Sequence, residues 1–440
     1  MESSRLRRIG SLALPIIGGM VSQNILNLVD TAMVGTLGDA ALAAVGLGGF
    51  VAFISMALIL GISAGVQATA ARRVGEGRFE RSAVPLNAGL VIVLSVGPLL
   101  SLLLYFVIPV VYPLLNSDPA VIEQGLPYLQ WRILAIVFVG INFAFRGYWN
   151  AVDRSMLYMS TLIVMHSVNI FFNYVFIFGH FGAPALGAGG AGLASALSTV
   201  AGAAVYLFLG LRHARRAGFL HGLPPRNEVI TLARLSLPTS VQQFFFAAGF
   251  TVLYWIIGRI GTLELAAASV IVTVMLVAIL PGMGFGLAAT TLVSQALGRG
   301  DVEGASAWAW DVVRIAVVGL ALLGLPMWLT PDLVMALFIK NPETMDIART
   351  PMRLVGLAMA FEAVGLVLMN ALLGAGDARR VMLVSVGCQW LIFLPLAYLT
   401  GPVLGFGLLG VWALNMLYRS LVSGVFVVLW RQRAWARIAL

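Results

Sequence analysis

The chain has 440 residues, of which 60% are hydrophobic and 10% are charged, and its mean hydropathy is +0.97. A soluble domain carries about 25% charged residues, so this composition excludes an ordinary soluble globular protein. The formal net charge of +9 does not indicate nucleic-acid binding, because an excess of Lys and Arg in a membrane protein typically marks its cytoplasmic loops.

Apolar runs of about 20 residues recur along the whole chain, and each is long enough to cross a hydrocarbon core of ~30 Å. They do not alternate with the period of two that membrane β-barrel strands show, so they predict an all-α integral membrane protein. Twelve transmembrane helices are predicted, with approximate spans 11–34, 40–70, 83–112, 120–147, 156–178, 190–211, 229–257, 264–296, 304–330, 346–373, 381–400 and 406–430. The first apolar run continues to Val34 without a short h-region and cleavage site, so we expect an uncleaved span rather than a signal peptide.

When the predicted spans are threaded through the membrane in chain order, every second loop lies on the same side. Most basic residues lie in the loops of one such set, that is, in loops of one parity. The loops of the opposite parity contain little beyond Arg259 and Lys340. This asymmetry follows the positive-inside rule and predicts that both termini are cytoplasmic. The expected location is a bacterial inner membrane, crossed many times.

The sequence contains an internal repeat whose register aligns position 12 with position 235. The register relates the following pairs: LALP (12–15) and LSLP (235–238), Gly35 and Gly258, Gly61 and Gly284, Gly75 and Gly298, and, after one inserted residue, Asp153 and Asp377. The chain is therefore predicted to form two pseudo-symmetric six-helix bundles. The N-lobe is expected at 1–218, with helices 1–6, and the C-lobe at 219–440, with helices 7–12.

Each half of the repeat has an even number of predicted spans, so both halves enter the membrane from the same side and the repeat is parallel. Two similar bundles that flank a cleft are typical of transporters that work by alternating access. A duplicated static scaffold is the alternative that the repeat alone leaves open.

The segment NILNLVDTAMVG at 24–35 places a carboxylate, Asp30, inside an apolar span. A charge there costs about 2.5–3.5 kcal/mol on insertion scales, so such residues usually face a bundle interior or a wet cavity. Gln23, Asn27 and Asp30 share one helical face at i, i+4 and i+7, and the first two are candidate cavity-lining residues. The alternative is an aspartate that reaches interfacial water, since Gly35 lies only five residues away.

Polar side chains also lie on one face of the fifth span, where His166, Asn169 and Asn173 follow each other, and Ser195 lies in the sixth span within GAGLASALS. Burial favours the neutral form of a carboxyl, whereas hydrogen bonds to the anion favour the charged form. An aspartate among amides and a hydroxyl is therefore a candidate proton carrier, or a Na⁺ ligand together with neutral oxygens. His166 is a candidate cavity residue, although an interior histidine with satisfied hydrogen bonds is the favoured interpretation.

Glu362, in MAFEAVGLVLMN, is the other carboxylate deep in a predicted span. Two interpretations stay open: a second coupling site, or an ion pair with Arg353 or another neighbour. Basic side chains near predicted span ends are expected to extend toward the interface; they are Arg132, Arg146, Arg314 and Arg419.

Several kinds of site are excluded by the motifs. GAGGAG at 187–192 satisfies G-x-G-x-x-G literally, but it opens a membrane helix without the preceding strand that a dinucleotide site needs, and small residues there permit close helix packing. The one cysteine, Cys388, excludes an intramolecular disulfide framework and a cysteine-based metal site. P-loop, zinc and hydrolase motifs are absent from the sequence. We therefore expect neither an enzyme nor an organic cofactor.

Five segments together resemble the MATE (multidrug and toxic compound extrusion) family over nearly the whole chain. They are LALPII near the start, NLVDTAMVGTLG around Asp30, RGYWNAVD (146–153) with LLGAGDAR (372–379), and GAGLAS (190–195). Within this family, the presence of an aspartate in the first span most resembles the pattern of the branch named for the DNA-damage-inducible F protein. The resemblance implies a MATE-like fold of twelve helices in two bundles.

The resemblance also implies roles for individual residues. In that branch the first-span aspartate is the protonation site, which assigns this role to Asp30, and the helix is thought to bend at the position of Pro15. The family's N-lobe network matches Asn169 and Ser195. Some members have an acidic residue where this chain has Asn173, and this departure argues against a strong Na⁺ site. Glu362 falls where another branch has an aspartate used in cation coupling.

The expected function is a secondary antiporter that exports amphipathic, often cationic, organic compounds while protons enter, with Na⁺ as the alternative coupling ion. The expected partners are small organic substrates and the lipid bilayer, with no nucleic acid, and a monomer is expected. A flippase for lipid-linked oligosaccharides is the nearest rival, although such proteins often have fourteen spans and a strongly cationic cleft. A membrane enzyme acting on lipid is the rival from another class, and it would need clustered His, Asp or Ser at the interface.

Overall fold

The computed structural model describes residues 3–438 and 440, and these residues form helices and turns without a β-strand. The first eight helices are α1 (Ser3–Gly35), α2 (Asp39–Gly75), α3 (Val84–Leu115), α4 (Pro119–Leu134), α5 (Ile136–Ala151), α6 (Ser155–Phe178), α7 (Ala188–His213) and α8 (Arg226–Gly258). The remaining helices are α9 (Thr262–Ala278), α10 (Leu280–Gly298), α11 (Val302–Leu329), α12 (Pro331–Met335), α13 (Pro342–Ala375), α14 (Ala378–Gly387), α15 (Leu394–Tyr398) and α16 (Gly407–Arg431). Two π-helical turns, Cys388–Phe393 and Leu399–Val403, flank α15 and make a continuous span with α14.

Membrane-crossing length is reached by 11 helical segments among the described residues, and by 12 if the bent pair α4–α5 counts as one span. The all-α membrane fold with twelve spans that the sequence predicts is therefore confirmed. Proline positions shape individual spans without ending them. Pro15 and Pro238 lie inside α1 and α8, at equivalent positions of the repeat.

The predicted span at 120–147 is wrong in one respect, because it is not a single straight helix. It breaks at Ala135 into α4 and α5, whose axes differ by 50°. A break leaves backbone carbonyls without helical partners. One of them, the carbonyl of Ile133, accepts a hydrogen bond of 2.8 Å from Ser101 Oγ on α3. The partner for the break therefore comes from another helix, which hydropathy along the chain does not show.

Packing divides the chain into two compact units. Unit 2 consists of Gly18–Ser240, and unit 1 combines Met1–Ile17 with Val241–Leu440. The boundaries lie inside α1 and α8, so each of these helices contributes its first turns to one unit and its remainder to the other. The predicted lobes at 1–218 and 219–440 describe the duplication of the sequence and stay a prediction; the packing units differ from them by the exchanged helix ends.

The beginning of α1 is held in unit 1 by its arginines. Arg5 Nε lies 2.9 Å from a carboxylate oxygen of Asp311 on α11, and its guanidinium lies 4.1 Å from the ring centroid of Trp308. Arg8 donates a hydrogen bond of 2.5 Å to the side-chain oxygen of Gln295 on α10. These contacts explain why the first turns of α1 pack with unit 1.

The beginning of α8 is held in unit 2 by an ion pair and by close helix packing. Glu228 pairs with Arg73 near the end of α2, and both side chains are mostly buried. The amide of Gly61 donates a hydrogen bond of 3.1 Å to Ser240 Oγ, and a Cβ atom at Gly61 would collide with the carbonyl oxygen of Ser236. The register of the repeat aligns Glu228 with Arg5, so the two helices are held at equivalent positions by opposite charges.

The Arg73–Glu228 pair yields a stability prediction. Glu228→Gln should lower the melting temperature by about 2–5 °C, because Arg73 loses its countercharge in a mostly buried position. The charge-swapped protein Arg73→Glu/Glu228→Arg should recover part of this loss, and only part, since Arg73 also donates to the carbonyl of Arg81 at 2.9 Å. Scanning fluorimetry of detergent-purified protein measures both effects.

Glu343→Gln is the matched control for that prediction, because Glu343 also lies in the first helical turn, of α13, and is exposed. It should leave the melting temperature unchanged. Equal shifts for Glu228→Gln and Glu343→Gln would mean that the effect arises from helix-end charge and not from the ion pair.

Candidate functional site

Asp30 lies in a hydrogen-bonded chain of polar side chains within unit 2. Asn173 Nδ2 donates to Asp30 Oδ1 at 2.6 Å and to Asn169 Oδ1 at 2.9 Å. Asn169 Nδ2 in turn donates to Ser195 Oγ at 3.3 Å. Asn173 and Asn169 are 0% and 1% exposed, whereas Asp30 is half-buried. The structure thus brings together Asp30, Asn169, Asn173 and Ser195, the four residues that the sequence predicts as the coupling site.

Three helices position this cluster: α1 carries Asp30, α6 carries both asparagines, and α7 carries Ser195. The glycine-rich start of α7 allows its close approach to α6, because a Cβ atom at Gly190 would collide with the carbonyl oxygen of Phe176. Ser195 lies five residues further along α7. The small residues of GAGGAG therefore serve helix packing, as the sequence predicts.

The cluster has one unsatisfied acceptor. Asn173 Oδ1 is buried and has no hydrogen-bond partner, while the amide nitrogen of the same side chain serves two acceptors. A buried polar atom without a partner is unfavourable and is usually explained by a functional role. The amide nitrogen of Asn173 faces Asp30 in this state, so a rotation of the Asn173 amide would be needed to turn this oxygen toward a protonated Asp30 carboxyl.

Oxygen atoms of the same cluster are the candidate ligands for a cation. Asp30, Asn169, Asn173 and Ser195 supply one carboxylate, two amide oxygens and one hydroxyl. Among residues 3–438 and 440, no group of three or more His, Cys, Asp or Glu side chains lies together as a transition-metal site would need. The donor set consists of hard oxygens and suits a proton or an alkali cation.

Arg132 on α4 is a basic residue near Asp30 that the sequence did not connect with it. It lies close enough to interact electrostatically with the carboxylate, and its guanidinium donates to the hydroxyl of Tyr128 at 2.6 Å. The i, i+4 spacing of Tyr128 and Arg132 is the only sequence signal for this arrangement. The proximity to Asp30 depends on how the helices pack and is not visible in the sequence.

Of the predicted cavity residues, none is hydrogen-bonded to the cluster of Asp30, Asn169, Asn173 and Ser195, which we call the coupling cluster. Gln23 Nε2 donates to Asn27 Oδ1 at 3.4 Å, and Asn27 is exposed, so neither residue takes part in the hydrogen bonds of Asp30. His166 contacts Ser22 on α1, with 3.0 Å between Nε2 and Oγ. Ser22 was not singled out from the sequence, because a single serine in a membrane helix is common.

Glu362 in unit 1 forms an ion pair with Arg419 on α16, and the carboxylate residue is only 8% exposed. Of the two interpretations open from the sequence, the structure supports pairing, with Arg419 in place of Arg353. A small cavity of about 40 Å³ lies beside the pair and is lined in part by Arg419, Gln389 and Trp412.

The expectation that arginines near span ends extend toward the interface is wrong for Arg419 and Arg146. Arg419 pairs with Glu362. Arg146 Nε donates to Ser63 Oγ at 3.1 Å, and its guanidinium lies 4.2 Å from the ring centroid of Phe143. Both side chains find partners on neighbouring helices, and the energy of these contacts outweighs the gain from reaching interfacial water.

A family model described as MatE matches residues 15–175 and 238–399, more than half of the 440 residues. The chain belongs to the MATE family. The starts of the two matched segments, 15 and 238, are aligned by the sequence repeat, and so are their ends, 175 and 399, once the one inserted residue is counted. The two family matches of the MATE protein therefore coincide with the two copies of the repeat.

Curated relatives of the MATE protein match along most of its length. A probable multidrug resistance protein NorM of Thermotoga maritima is 26% identical over 439 residues, covering 96% of this chain and 92% of the relative. A probable multidrug resistance protein NorM of Pseudomonas aeruginosa is 30% identical over 418 residues, covering 92% and 85%. The branch within the MATE family, predicted from the first-span aspartate, stays a prediction.

Solved structures show the same fold. One, described as the outward-facing conformation of a multidrug resistance MATE family transporter of the MOP superfamily, matches with a TM-score of 0.89 and 21% identity, and covers 99% of this chain and 97% of that chain. A second, described as MATE in the bent conformation, matches with a TM-score of 0.88 and 21% identity, and covers 98% and 95%. The MATE protein is a membrane transporter and not an enzyme.

The Glu362–Arg419 pair yields a prediction that separates stability from transport. Glu362→Gln should lower the free energy of unfolding by about 3–5 kcal/mol, because it leaves a buried guanidinium without its countercharge. The double variant Glu362→Gln/Arg419→Met should restore most of that stability and should transport substrate at a rate near that of the wild type. Melting temperature and transport in vesicles are the measurements.

A double variant that is stable but inactive would assign Glu362 or Arg419 to the transport cycle. Arg314→Met is the matched control for removal of an arginine, since Arg314 pairs with Asp311 but its side chain is 72% exposed. It should change neither property.

Proposed function

We propose that the protein is a secondary antiporter that exports amphipathic, often cationic, organic compounds in exchange for protons. The observation that carries this proposal is the Asp30 carboxylate, which a neutral amide holds at 2.6 Å inside a MATE fold. The two NorM relatives are named multidrug resistance proteins, which supports multidrug export as the class of activity.

The proposed coupling step is protonation of Asp30. Deprotonated Asp30 accepts a hydrogen bond from Asn173 Nδ2. Protonation removes the charge and turns one carboxyl oxygen into a donor, for which Asn173 Oδ1 is a buried acceptor once the amide has rotated. The two protonation states therefore favour different hydrogen bonds between α1 and α6. A proton shifts the conformational equilibrium only by its differential affinity for the two states, and this change of partners supplies such a difference.

The position of Pro15 connects this step to a movement of α1. The ring of Pro15 removes one backbone hydrogen bond from the helix, which makes bending easier there. The packing units change two residues later, between Ile17 and Gly18. We propose that α1 bends near Pro15 when Asp30 changes its protonation state, and that this bend contributes to alternating access.

The proton gradient supplies the energy of export in this proposal. Each proton that enters contributes about 2.3 kcal/mol per 100 mV of membrane potential and about 1.4 kcal/mol per pH unit. Na⁺ is the alternative coupling ion. The presence of a single carboxylate in the cluster, with asparagine at 173, supports the proton. A lipid-linked oligosaccharide flippase is less well supported, because the part of the chain that the structure describes holds 11 or 12 spans and such flippases often have fourteen.

We further propose a monomer in the bacterial inner membrane, with substrate and lipid as its partners and both termini in the cytoplasm. The arginine-rich loops of one parity support this orientation. Reporter fusions after Leu440 and within residues 213–225 should both score as cytoplasmic. An external score at either position would contradict the proposed orientation.

The Asp30 variants test the proposed mechanism directly. Asp30→Asn should be expressed and folded and should still bind substrate, but it should not extrude substrate against a gradient, because its side chain cannot exchange a proton. Asp30→Glu should retain partial activity, since it keeps a titratable group in a displaced position. Dye efflux from energised vesicles measures transport, and an immunoblot measures expression.

Asp39→Asn is the matched control, because Asp39 is an exposed aspartate at the start of α2. It should transport like the wild type. Wild-type efflux by a well-expressed Asp30→Asn protein would disprove proton coupling through Asp30. Efflux that depends on a Na⁺ gradient and persists without a proton gradient would identify Na⁺ as the coupling ion.

A further inference from the structure

His166 is a titratable residue on the α6 face that carries the coupling cluster. It precedes Asn169 by three residues and Asn173 by seven. At a rise of 1.5 Å per residue it lies roughly 10 Å from Asn173 along the helix, in the direction of Ser155, the end that the proposed topology places in the cytoplasm. A proton that leaves Asp30 for the cytoplasm would therefore travel toward His166.

Two hydrogen bonds of Ser22 define which imidazole nitrogen carries the proton. Ser22 Oγ lies 2.8 Å from the carbonyl oxygen of Gly19 and 3.0 Å from His166 Nε2. A serine hydroxyl has one proton, and the carbonyl oxygen of Gly19 is only an acceptor. When Ser22 donates to Gly19, it accepts from His166, so Nε2 carries the hydrogen and Nδ1 is the basic nitrogen of the neutral ring.

His166 Nδ1 is buried and has no hydrogen-bond partner. α1 approaches α6 closely at two glycines about one helical turn before Ser22. A Cβ atom at Gly19 would lie 2.8 Å from the ring of Tyr158, and one at Gly18 would lie 3.3 Å from Met159. The structure thus fixes one nitrogen by a hydrogen bond and leaves the other as an unused base.

We propose that His166 is a second proton-binding residue of the transport cycle, which accepts through Nδ1 the proton released by Asp30. This proposal rests on the proposed proton coupling. Nδ1 is buried in this state, so the step belongs to the state in which α1 has bent and water reaches the ring. The Asp30 carboxyl then gives its proton to water, and the water gives a proton to Nδ1. The imidazolium then returns the Nδ1 proton to water on the side of Ser155. The Nε2–H bond to Ser22 stays intact, and no other bond is made or broken.

The surroundings of His166 favour release of the proton from the imidazolium over its retention. The titratable or charged groups on α6 and on the helices around it include Asp30 on α1, Arg146 on α5, Tyr158 on α6 itself and Tyr206 on α7. Arg146 and the two tyrosines interact with one another. Among the described residues, no carboxylate forms an ion pair with the His166 ring. An imidazolium formed there has no countercharge in contact, so the proton would be released to water.

The test is substrate-driven proton movement in proteoliposomes, recorded between about pH 5 and 8, the range in which histidine titrates. His166→Gln keeps a donor for Ser22 but cannot titrate. It should bind substrate like the wild type, with an unchanged KM, while kcat falls about a hundredfold and the pH profile loses its histidine-dependent step. His221→Gln is the matched control, since His221 is exposed, and it should behave like the wild type.

Ser22→Ala provides a second variant in case His166→Gln folds poorly. It keeps the histidine and removes the hydroxyl that defines the tautomer, so it should move the pH profile without loss of protein. A wild-type rate and pH profile in His166→Gln, or an unmoved profile in a folded Ser22→Ala protein, would overturn the role of His166. If Asp30→Asn abolishes proton movement in the same assay, the proposed function stands in either case; if Asp30→Asn transports normally, the proposed function itself fails.

Discussion

The hydrogen bond between Asn173 and Asp30 is the interaction on which the arrangement of the proposed coupling site depends. A carboxylate among apolar helices requires a partner, because its unpaired charge is costly in a medium with few polar groups. Asn173 supplies an amide N–H at 2.6 Å without supplying a charge. The carboxylate is therefore stabilised in place without being neutralised. Asn169 and Ser195 extend the chain of hydrogen bonds and orient Asn173, so the buried amides serve one another as well as Asp30.

Three other carboxylates in the helices are paired with arginines. Glu362 pairs with Arg419, Asp311 with Arg5 and Arg314, and Glu228 with Arg73. An ion pair favours the charged forms of both partners and resists protonation of the carboxylate. Asp30 differs because its nearest partner is a neutral amide. This contrast, more than burial alone, separates the carboxylate suited to proton exchange from those that hold helices together.

The two halves share their scaffold and differ in their polar residues. The register of the repeat relates Asp30 to Leu253 and, after the inserted residue, Asn169 to Phe393 and Asn173 to Ala397. The glycines that permit close packing recur in both halves, whereas the coupling cluster occurs in the first. Duplication therefore explains the helices but not the site, which only the first half carries. A carboxylate that the second half does not need for folding is better explained by transport than by stability.

The membrane class, the lengths of the spans and the internal repeat could be predicted from the sequence, because each depends on the residues of a segment and not on the contacts of that segment. Apolar runs of membrane-crossing length follow from the chemistry of each segment, and the face shared by His166, Asn169 and Asn173 follows from helical periodicity. Asp30 stood out because a carboxylate in such a run is costly wherever the helix packs. These features need no knowledge of which helices are neighbours.

Only the tertiary structure decided which partners meet. In the structure, Glu362 pairs with Arg419 and not with Arg353, and Asn173 donates a hydrogen bond to Asp30. Asn27 is exposed. The predicted span breaks at Ala135, next to the carbonyl of Ile133 that accepts a hydrogen bond from Ser101 of another helix. The first turns of α1 and of α8 pack in a different unit from the rest of each helix. Each of these outcomes depends on contacts between residues far apart in the chain. Helical periodicity determines the face on which a side chain lies, and only the packing of whole helices determines what that face meets.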